Sequence, residues 1–317
     1  DMEAAVIGAG FIGQLHRKAW EANRIPVRVM VDPYISEADK RKFMSEGVEI
    51  VATIDQAFAV RPNIRAVSVC TPPGQHRADL ESLLHYEVHI LMEKPVSASK
   101  DDYLYMMCLA GTAKTKTMIG LTQRFYPEVQ QAANWIRAGK IGEPVAFQDT
   151  MILSNQGLPA WYEDRKLSGG GIYITNGVHL LDRMQYVLDS ELDSIHQTKT
   201  FVDDRDLDTI VHVTGRLKNR IPFQIHLEWS EAKELQRTVI FGTKGRIELQ
   251  TWQHVTLYDQ SGHGETFAPY RSEESFSDRT LRGLTLEIQA FLEGIDSGKF
   301  PKGLTLEEHM PTMIAIW

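Results

Sequence analysis

Glu93, Lys94 and Pro95 stand together where the apolar run "VHILM" ends. A lysine leaving a buried strand is partly desolvated, which favours its neutral form and suits it to proton transfer. The proline restricts the lysine before it to an extended backbone. An ordinary surface ion pair is the competing reading of such a Glu-Lys pair. A second stretch, "SGGGIYITNGVHLLD", carries Asn176, His179 and Asp182 every three residues after a glycine triplet. On a helix this spacing lines three polar side chains along one face and leaves Ile174, Val178 and Leu181 on another. An imidazole starts from a pKa of about 6.5, so His179 can move a proton, with Asp182 one turn on to orient it. The competing reading is a buried structural histidine.

A third stretch binds rather than reacts. "VIGAGFIGQLH" sets Gly8, Gly10 and Gly13 in the G-x-G-x-x-G pattern between an apolar strand and a helix, with Phe11 and Ile12 inside the turn. The first glycine allows the tight turn, the second lets the backbone approach a pyrophosphate, and the third lets helix and strand pack closely. The helix N-terminus adds N–H donors and partial positive charge. Asp32 ends the next apolar run, "VRVMVD", 24 positions after Gly8. A carboxylate there accepts from ribose hydroxyls and repels a 2′-phosphate, and neither Pro33 nor Tyr34 is an arginine, so NAD is favoured over NADP. "VCTPPGQH" puts Thr71, Pro72 and His76 at the end of another strand, the edge where doubly wound sheets hold ligands.

These groups need a scaffold, and the chain alternates to supply one. Up to about Thr122, short apolar runs alternate with amphipathic stretches, as in a parallel sheet with helices on both faces. Beyond it the pattern changes. A helix, "PEVQQAANWIRAG", is followed after Asp206 by alternating runs that pair as hairpins across "KNRI" and "KG". A last helix, "TLRGLTLEIQAFLEGIDSG", closes at Gly298. The fold class is α/β in two domains: a Rossmann dinucleotide-binding domain over residues 1–122, and an α/β domain with an open, mostly antiparallel sheet over 123–317. The second sheet needs one face covered, and the other is expected to carry Trp229, Phe241 and Ile247 among charged neighbours. The sequence leaves open which parity faces the helices, but either way an apolar patch larger than a monomer usually exposes is expected.

The totals narrow the class further. With 317 residues, 43% hydrophobic, the chain can bury a sizeable core. A net charge of −8 argues against nucleic acid and anionic membranes as partners. Cys70 and Cys108 give neither a disulfide framework nor zinc spacing, and point to a reducing, cytoplasmic setting. The histidines are scattered, so no metal is expected. No apolar run approaches a membrane span, and "DMEAAVIGAG" enters a strand without a signal-peptide layout. Starting at Asp1 and stopping at Trp317 without a cap, the chain is expected to lack native residues at its ends.

"VIGAGFIG", "TPPGQH", "EKPVS", "IGLTQRFYP", "IGEPV", "SGGGIYITNGVHLLD", "IFGTKGRIEL" and "EIQAFLEGIDSG", in this order, resemble the Gfo/Idh/MocA oxidoreductases across nearly the whole chain. The resemblance implies that Lys94 contacts substrate and cofactor beside the nicotinamide, with Glu93 and Pro95 holding it. The positive nicotinamide would lower the lysine's pKa further. Family members often carry an aspartate four positions before the histidine. Thr175 stands there, while Asn176 matches a variant with asparagine three before it, so His179 takes the proton-transfer role and Asn176 the substrate hydrogen bond. Thr175 and Asp182 join as substrate candidates. Aromatics beside an arginine suit a sugar face or cofactor phosphates and equally suit ordinary packing. Tyr126 and Trp161 thus stand as substrate candidates and Arg124 as a cofactor candidate, with Tyr162 and Arg165 beside them, and His76 is expected to line the pocket. The open sheet often makes the family's oligomer interface, which implies a homodimer or homotetramer.

The expected activity is hydride transfer between the nicotinamide and a secondary alcohol or ketone of a sugar, cyclitol or related polyol. One alternative is transient sugar oxidation that drives elimination or glycoside cleavage, which net NADH accumulation separates from a dehydrogenase. The other is a non-enzymatic NAD-binding regulator, which need not keep Lys94 and His179.

Overall fold

The computed structural model describes residues 2–317. The chain divides into two compact units: residues up to Gly120 with Leu284–Met310, and Leu121–Gly283 with Pro311–Trp317.

In the first unit the strands are β1 (Glu3–Ile7), β2 (Val27–Val31), β3 (Glu49–Val51), β4 (Ile64–Val69), β5 (His89–Glu93) and β6 (Thr117–Gly120). Helices α1 (Phe11–Ala22), α2 (Glu37–Ser45), α3 (Ile54–Val60), α4 (His76–Leu84) and α5 (Lys100–Gly111) connect them. The order is β3-β2-β1-β4-β5-β6, all parallel. Helices on both faces leave the central strands nearly all apolar, and every residue of β1 is buried. Because the strands are parallel, the glycine turn after β1, the TPP turn after β4 and the EKP turn after β5 share one carboxyl edge, and the strand order reverses between β1 and β4.

The second unit begins with α6 (Pro127–Arg137), whose first residue is the proline that starts helices well. Then come β7 (Pro144–Leu153), a single turn α7 (Arg165–Ser168) and α8 (Val178–Leu188). Seven strands follow: β8 (Leu192–Phe201), β9 (Asp208–Leu217), β10 (Pro222–Trp229), β11 (Leu235–Gly242), β12 (Gly245–Gln250), β13 (His254–Asp259) and β14 (Gly264–Phe267). The sheet order is β14-β13-β12-β11-β7-β10-β9-β8, antiparallel except for the β7–β10 pair. The two expected hairpins are β9–β10 and β11–β12. The central β7 and edge β8 went unread, because "QDT" interrupts the apolar run of one and the other is polar along its length.

α6 and α8 pack on one face of this sheet, over Phe147, Met151, Val213, Ile225, Ile240 and Ile247. The register corrects the expected apolar patch. Ile247 pairs with Ile240 and Leu257 on the covered side, and Trp229 has the parity of buried Leu227. Phe241 lies on the other face, opposite Ala146 and Arg246, among Gln148, Arg237 and Glu248. That face is mixed rather than apolar.

Two more helices, α9 (Phe276–Ser297) and α10 (Leu306–Ile316), complete the chain. The sequence reading ran the second domain to the C-terminus, whereas Leu284–Met310 group with the first unit. The reason is the buried stripe of Leu284, Ile288 and Phe291, whose last ring meets Trp20 of α1 edge-on at 6.0 Å. Among the described residues no helix is long and apolar enough to cross a membrane.

Candidate active site

The glycine turn is shaped as a phosphate cradle. Gly8 has φ +98°, and a side chain there would come within 2.8 Å of the Cys70 carbonyl oxygen. A side chain at Gly13 would overlap the carbonyl oxygen of Gly8, so α1 can lie this close to β1 only without one. Gly10 differs: it is exposed, and an added Cβ would meet nothing within 4 Å. It is also the N-cap of α1 and has no side chain to cap the helix, which begins at this turn with its positive end. Phe11 is exposed and Ile12 half-buried beside it.

Asp32 is held at this turn. Its carboxylate accepts from the Ala9 N–H at 3.1 Å and from the Tyr34 N–H at 2.9 Å. The group is half-buried and presents an acceptor beside the cradle, as a ribose diol requires. The open space at Gly10, the helix N-terminus beside it and this acceptor fit a dinucleotide.

Lys94 is half-buried on the same edge, and its peptide bond to Pro95 is cis. Burial lowers the pKa of its ammonium, with the Glu93 carboxylate opposing. Glu93 is buried, and its Oε2 accepts from the Lys94 backbone N–H at 3.2 Å. Its Oε1 meets His16 Nε2 of α1 at 2.8 Å.

His76 does not line an open pocket. It is fully buried, with Nδ1 2.9 Å from the Val96 carbonyl oxygen and Nε2 2.7 Å from that of Thr71. The ring ties the TPP turn to the segment just past Lys94. Thr71 donates its hydroxyl to Asp79 at 2.5 Å, which fixes the turn from the other side. Pro72 is half-buried at the start of that turn.

In the second unit, the stretch read as one helix is a π-helical turn, Tyr173–Gly177, running into α8. Asp208, at the start of β9, imposes this by accepting from the Gly171 N–H at 3.0 Å and the Tyr173 N–H at 2.8 Å. Thr175 is buried, and its hydroxyl donates to the Gly171 carbonyl at 2.8 Å. Asn176 is half-buried on the π turn, and His179 is buried in the first turn of α8. Single π turns of this kind recur at functional sites.

Asp182 and Arg124 form a buried fork. Arg124 Nε reaches Asp182 Oδ2 at 3.0 Å and Nη2 reaches Oδ1 at 2.5 Å, with the guanidinium over the Tyr186 ring at 5.1 Å. Burial pushes the Asp182 carboxyl up, and Arg124 pulls it down. Arg124, read as a cofactor group, thus has two of its guanidinium nitrogens on Asp182 of α8. The next residue along, Arg183, binds Asp149 at 2.9 and 3.1 Å, Thr238 at 3.0 Å, Thr251 at 2.6 Å and Gln123 at 3.1 Å. Two adjacent buried arginine–carboxylate pairs thus fix the helix that carries His179.

Tyr126 is buried against Trp252, with ring centroids 5.8 Å apart, and Trp161 stacks on Tyr162 at 4.1 Å on a half-buried turn. Arg165 is exposed and paired with Asp206. Sequence reasoning missed His16, Glu287, Asp208 and the Arg183–Asp149 pair. Glu287 alone had a local signal, a charge on the apolar stripe of α9.

A phosphate cradle, a ribose acceptor and a partly desolvated lysine on one edge of a parallel sheet define a dinucleotide-dependent oxidoreductase. The profile of the oxidoreductase family with an NAD-binding Rossmann fold matches residues 2–121, and that of the GFO/IDH/MocA C-terminal domain matches residues 129–248. The chain belongs to the Gfo/Idh/MocA family and is an NAD-dependent oxidoreductase. It is 25% identical to the inositol 2-dehydrogenase of Rhizobium meliloti (strain 1021) over 299 residues, 92% of this chain and 88% of that one. Identity to the myo-inositol 2-dehydrogenase of Thermotoga maritima is 25% over 316 residues, covering 95% and 90%. A levoglucosan dehydrogenase solved with NADH and levoglucosan shares the fold, with a TM-score of 0.85 at 18% identity over 99% of this chain and 95% of that one.

Proposed function

We propose that the chain oxidises a secondary alcohol of a sugar, cyclitol or related polyol, or reduces the matching ketone, with Lys94 as proton carrier. Bound NAD supplies the hydride acceptor. The observation that carries the reading is Lys94 itself. Its ammonium is destabilised by burial, and it stands on the same sheet edge as a turn that fits a dinucleotide. As a neutral amine it takes the hydroxyl proton, and as an ammonium it stabilises charge on the substrate oxygen. His179 serves as the second proton-handling group, and Asn176, half-buried on the π turn, hydrogen-bonds the substrate hydroxyls. Asp182, Arg124 and Thr175 position these groups rather than touch the substrate.

The relatives matched along most of their length are inositol dehydrogenases, which supports a cyclitol or sugar. Transient oxidation and a non-enzymatic regulator are not favoured. We further propose a cytoplasmic homodimer or homotetramer. The support is family likeness, since the open sheet face is mixed in character. The test is a panel of cyclitols, sugars and polyols with NAD and with NADP, following reduced nicotinamide. Turnover with one such alcohol and NAD is expected, and a panel without turnover under either cofactor overturns the reading.

A further inference from the structure

Next to Lys94 in the chain, Glu93 belongs to a buried cluster that the proposed reaction does not itself use. One oxygen of Glu93, one of Glu287 and one ring nitrogen of His16 lie within 4.8 Å of one another. His16 and Glu287 are fully buried, and Glu93 is 7% exposed. They come from β5, α9 and α1, far apart in sequence. Glu287 sits on the apolar stripe with Leu284, Ile288 and Phe291, where a carboxylate is costly unless something answers its charge.

The partners of His16 are the informative part. Its Nε2 faces Glu93, and its Nδ1 is 2.9 Å from the Ser68 hydroxyl. Trp20 Nε1, which can only donate, gives its hydrogen to the same Ser68 oxygen at 2.8 Å. A hydroxyl can donate to Nδ1 of a neutral imidazole or accept from Nδ1–H of an imidazolium. The ring can therefore change charge without losing either contact. His76 makes the contrast, since both its nitrogens face carbonyl oxygens, which only accept.

We propose that Glu287 and His16 are positioning residues that set the charge state of Lys94 through Glu93. Two carboxylates this close and this buried are costly as a pair of negative charges unless positive charge lies nearby. His16 supplies it from within the cluster, and Lys94 supplies it from the sheet edge. A positive charge on either one lessens the negative field felt at the other. The inference rests on the reading of Lys94 as proton carrier only for its catalytic consequence. The other titratable groups of this unit around the turn are Cys70 after β4, and His76 and Asp79 from α4. The Cys70 thiol is raised first by burial and then by Glu93 and Glu287, so the field of both carboxylates reaches the strand ends. Glu93 and Asp79 act on His76 against its burial.

The experiment is an NMR titration of the full chain without NAD or substrate, using lysine labelled with 13C at Cε. The Lys94 signal is assigned by its loss in Lys94→Ala. Glu287→Gln removes a buried negative charge, so the Lys94 midpoint should fall by about one pH unit. His16→Gln keeps a donor toward Glu93 and removes the cluster's own proton, so the midpoint should rise. An unmoved midpoint in either variant, or shifts of the same sign, overturns the proposal. Should a variant fail to fold, the 15N signals of His16 in the unmodified protein decide. They should inflect over the same pH range as Lys94, and a flat response refutes the coupling. The pH–rate profiles of the variants are read separately. If the midpoints move as expected while the profile stays put, the inference stands and the catalytic reading of Lys94 fails.

Discussion

Gly10 and Gly13 lie three residues apart in one turn, and the structure gives them opposite responses to a single methyl group. A Cβ at Gly10 enters open space, and the backbone there, at φ −75°, suits alanine. The protein should lose at most about 1 kcal/mol, the difference between glycine and alanine as an N-cap. The open space is the approach for a pyrophosphate, whose charge-assisted hydrogen bonds to backbone N–H groups contribute roughly 1.5–3 kcal/mol each. Losing one or two weakens NAD binding on the order of 10- to 10,000-fold. A Cβ at Gly13 overlaps the Gly8 carbonyl oxygen and lies 3.5 Å from Val6 Cγ1, so backbone must move. That change should cost about 1–3 kcal/mol of stability as well as affinity. The assay pairs NAD titration calorimetry with thermal unfolding in the absence of cofactor. Gly10→Ala should keep its melting temperature and lose NAD, and Gly13→Ala should lose both. A Gly10→Ala protein that binds NAD like the unmodified chain refutes the cradle.

Other outcomes follow from the same geometry. Asp32→Ala should erase the preference for NAD over NADP, which calorimetry with both cofactors measures, because the carboxylate that meets a 2′-phosphate is gone. Burial favours the neutral amine of Lys94, so alcohol oxidation should rise with pH through a midpoint below the ordinary lysine value of about 10.4, and ketone reduction should fall over the same range. An oxidation profile without that rise removes Lys94 as the base. His179→Ala should lower kcat by on the order of a hundredfold and remove one limb of the profile. Arg183→Met strands the buried Asp149 and should cost about 3–5 kcal/mol in thermal unfolding, most of it recovered when Asp149→Leu is added.

The parts of this protein that announce themselves in sequence are those governed by neighbours along the chain. The glycine spacing, the acidic end of β2 and the EKP turn are each local, and each lands on the carboxyl edge where the strand–helix alternation puts it. What stayed hidden are the partners that hold these groups, which lie far away along the chain. Arg124 looked like a phosphate or sugar ligand until Asp182, 58 positions on, turned out to hold its guanidinium. His76 was read as a pocket lining, yet its nitrogens are spent on Thr71 and Val96. The helical spacing of Asn176 and His179 ignored Asp208, which bends the turn before α8 from the start of a strand. The parity of the open sheet was undecidable without register, since a slip of one residue exchanges its faces. Buried polar networks are tertiary objects, and only Glu287 left a trace, as a charge in an apolar stripe.

The central claim is hydride transfer to NAD from a substrate carbon whose hydroxyl proton passes to Lys94. The most direct measurement uses the alcohol that the panel selects, deuterated at the carbinol carbon, in a single turnover analysed by mass spectrometry. The account predicts one deuterium on the nicotinamide for each ketone formed, with reduced cofactor accumulating, and a rate lower on the order of a hundredfold in Lys94→Ala at unchanged NAD affinity. Deuterium retained in the product with no net reduced cofactor, or a Lys94→Ala protein that turns over at the normal rate, would contradict it.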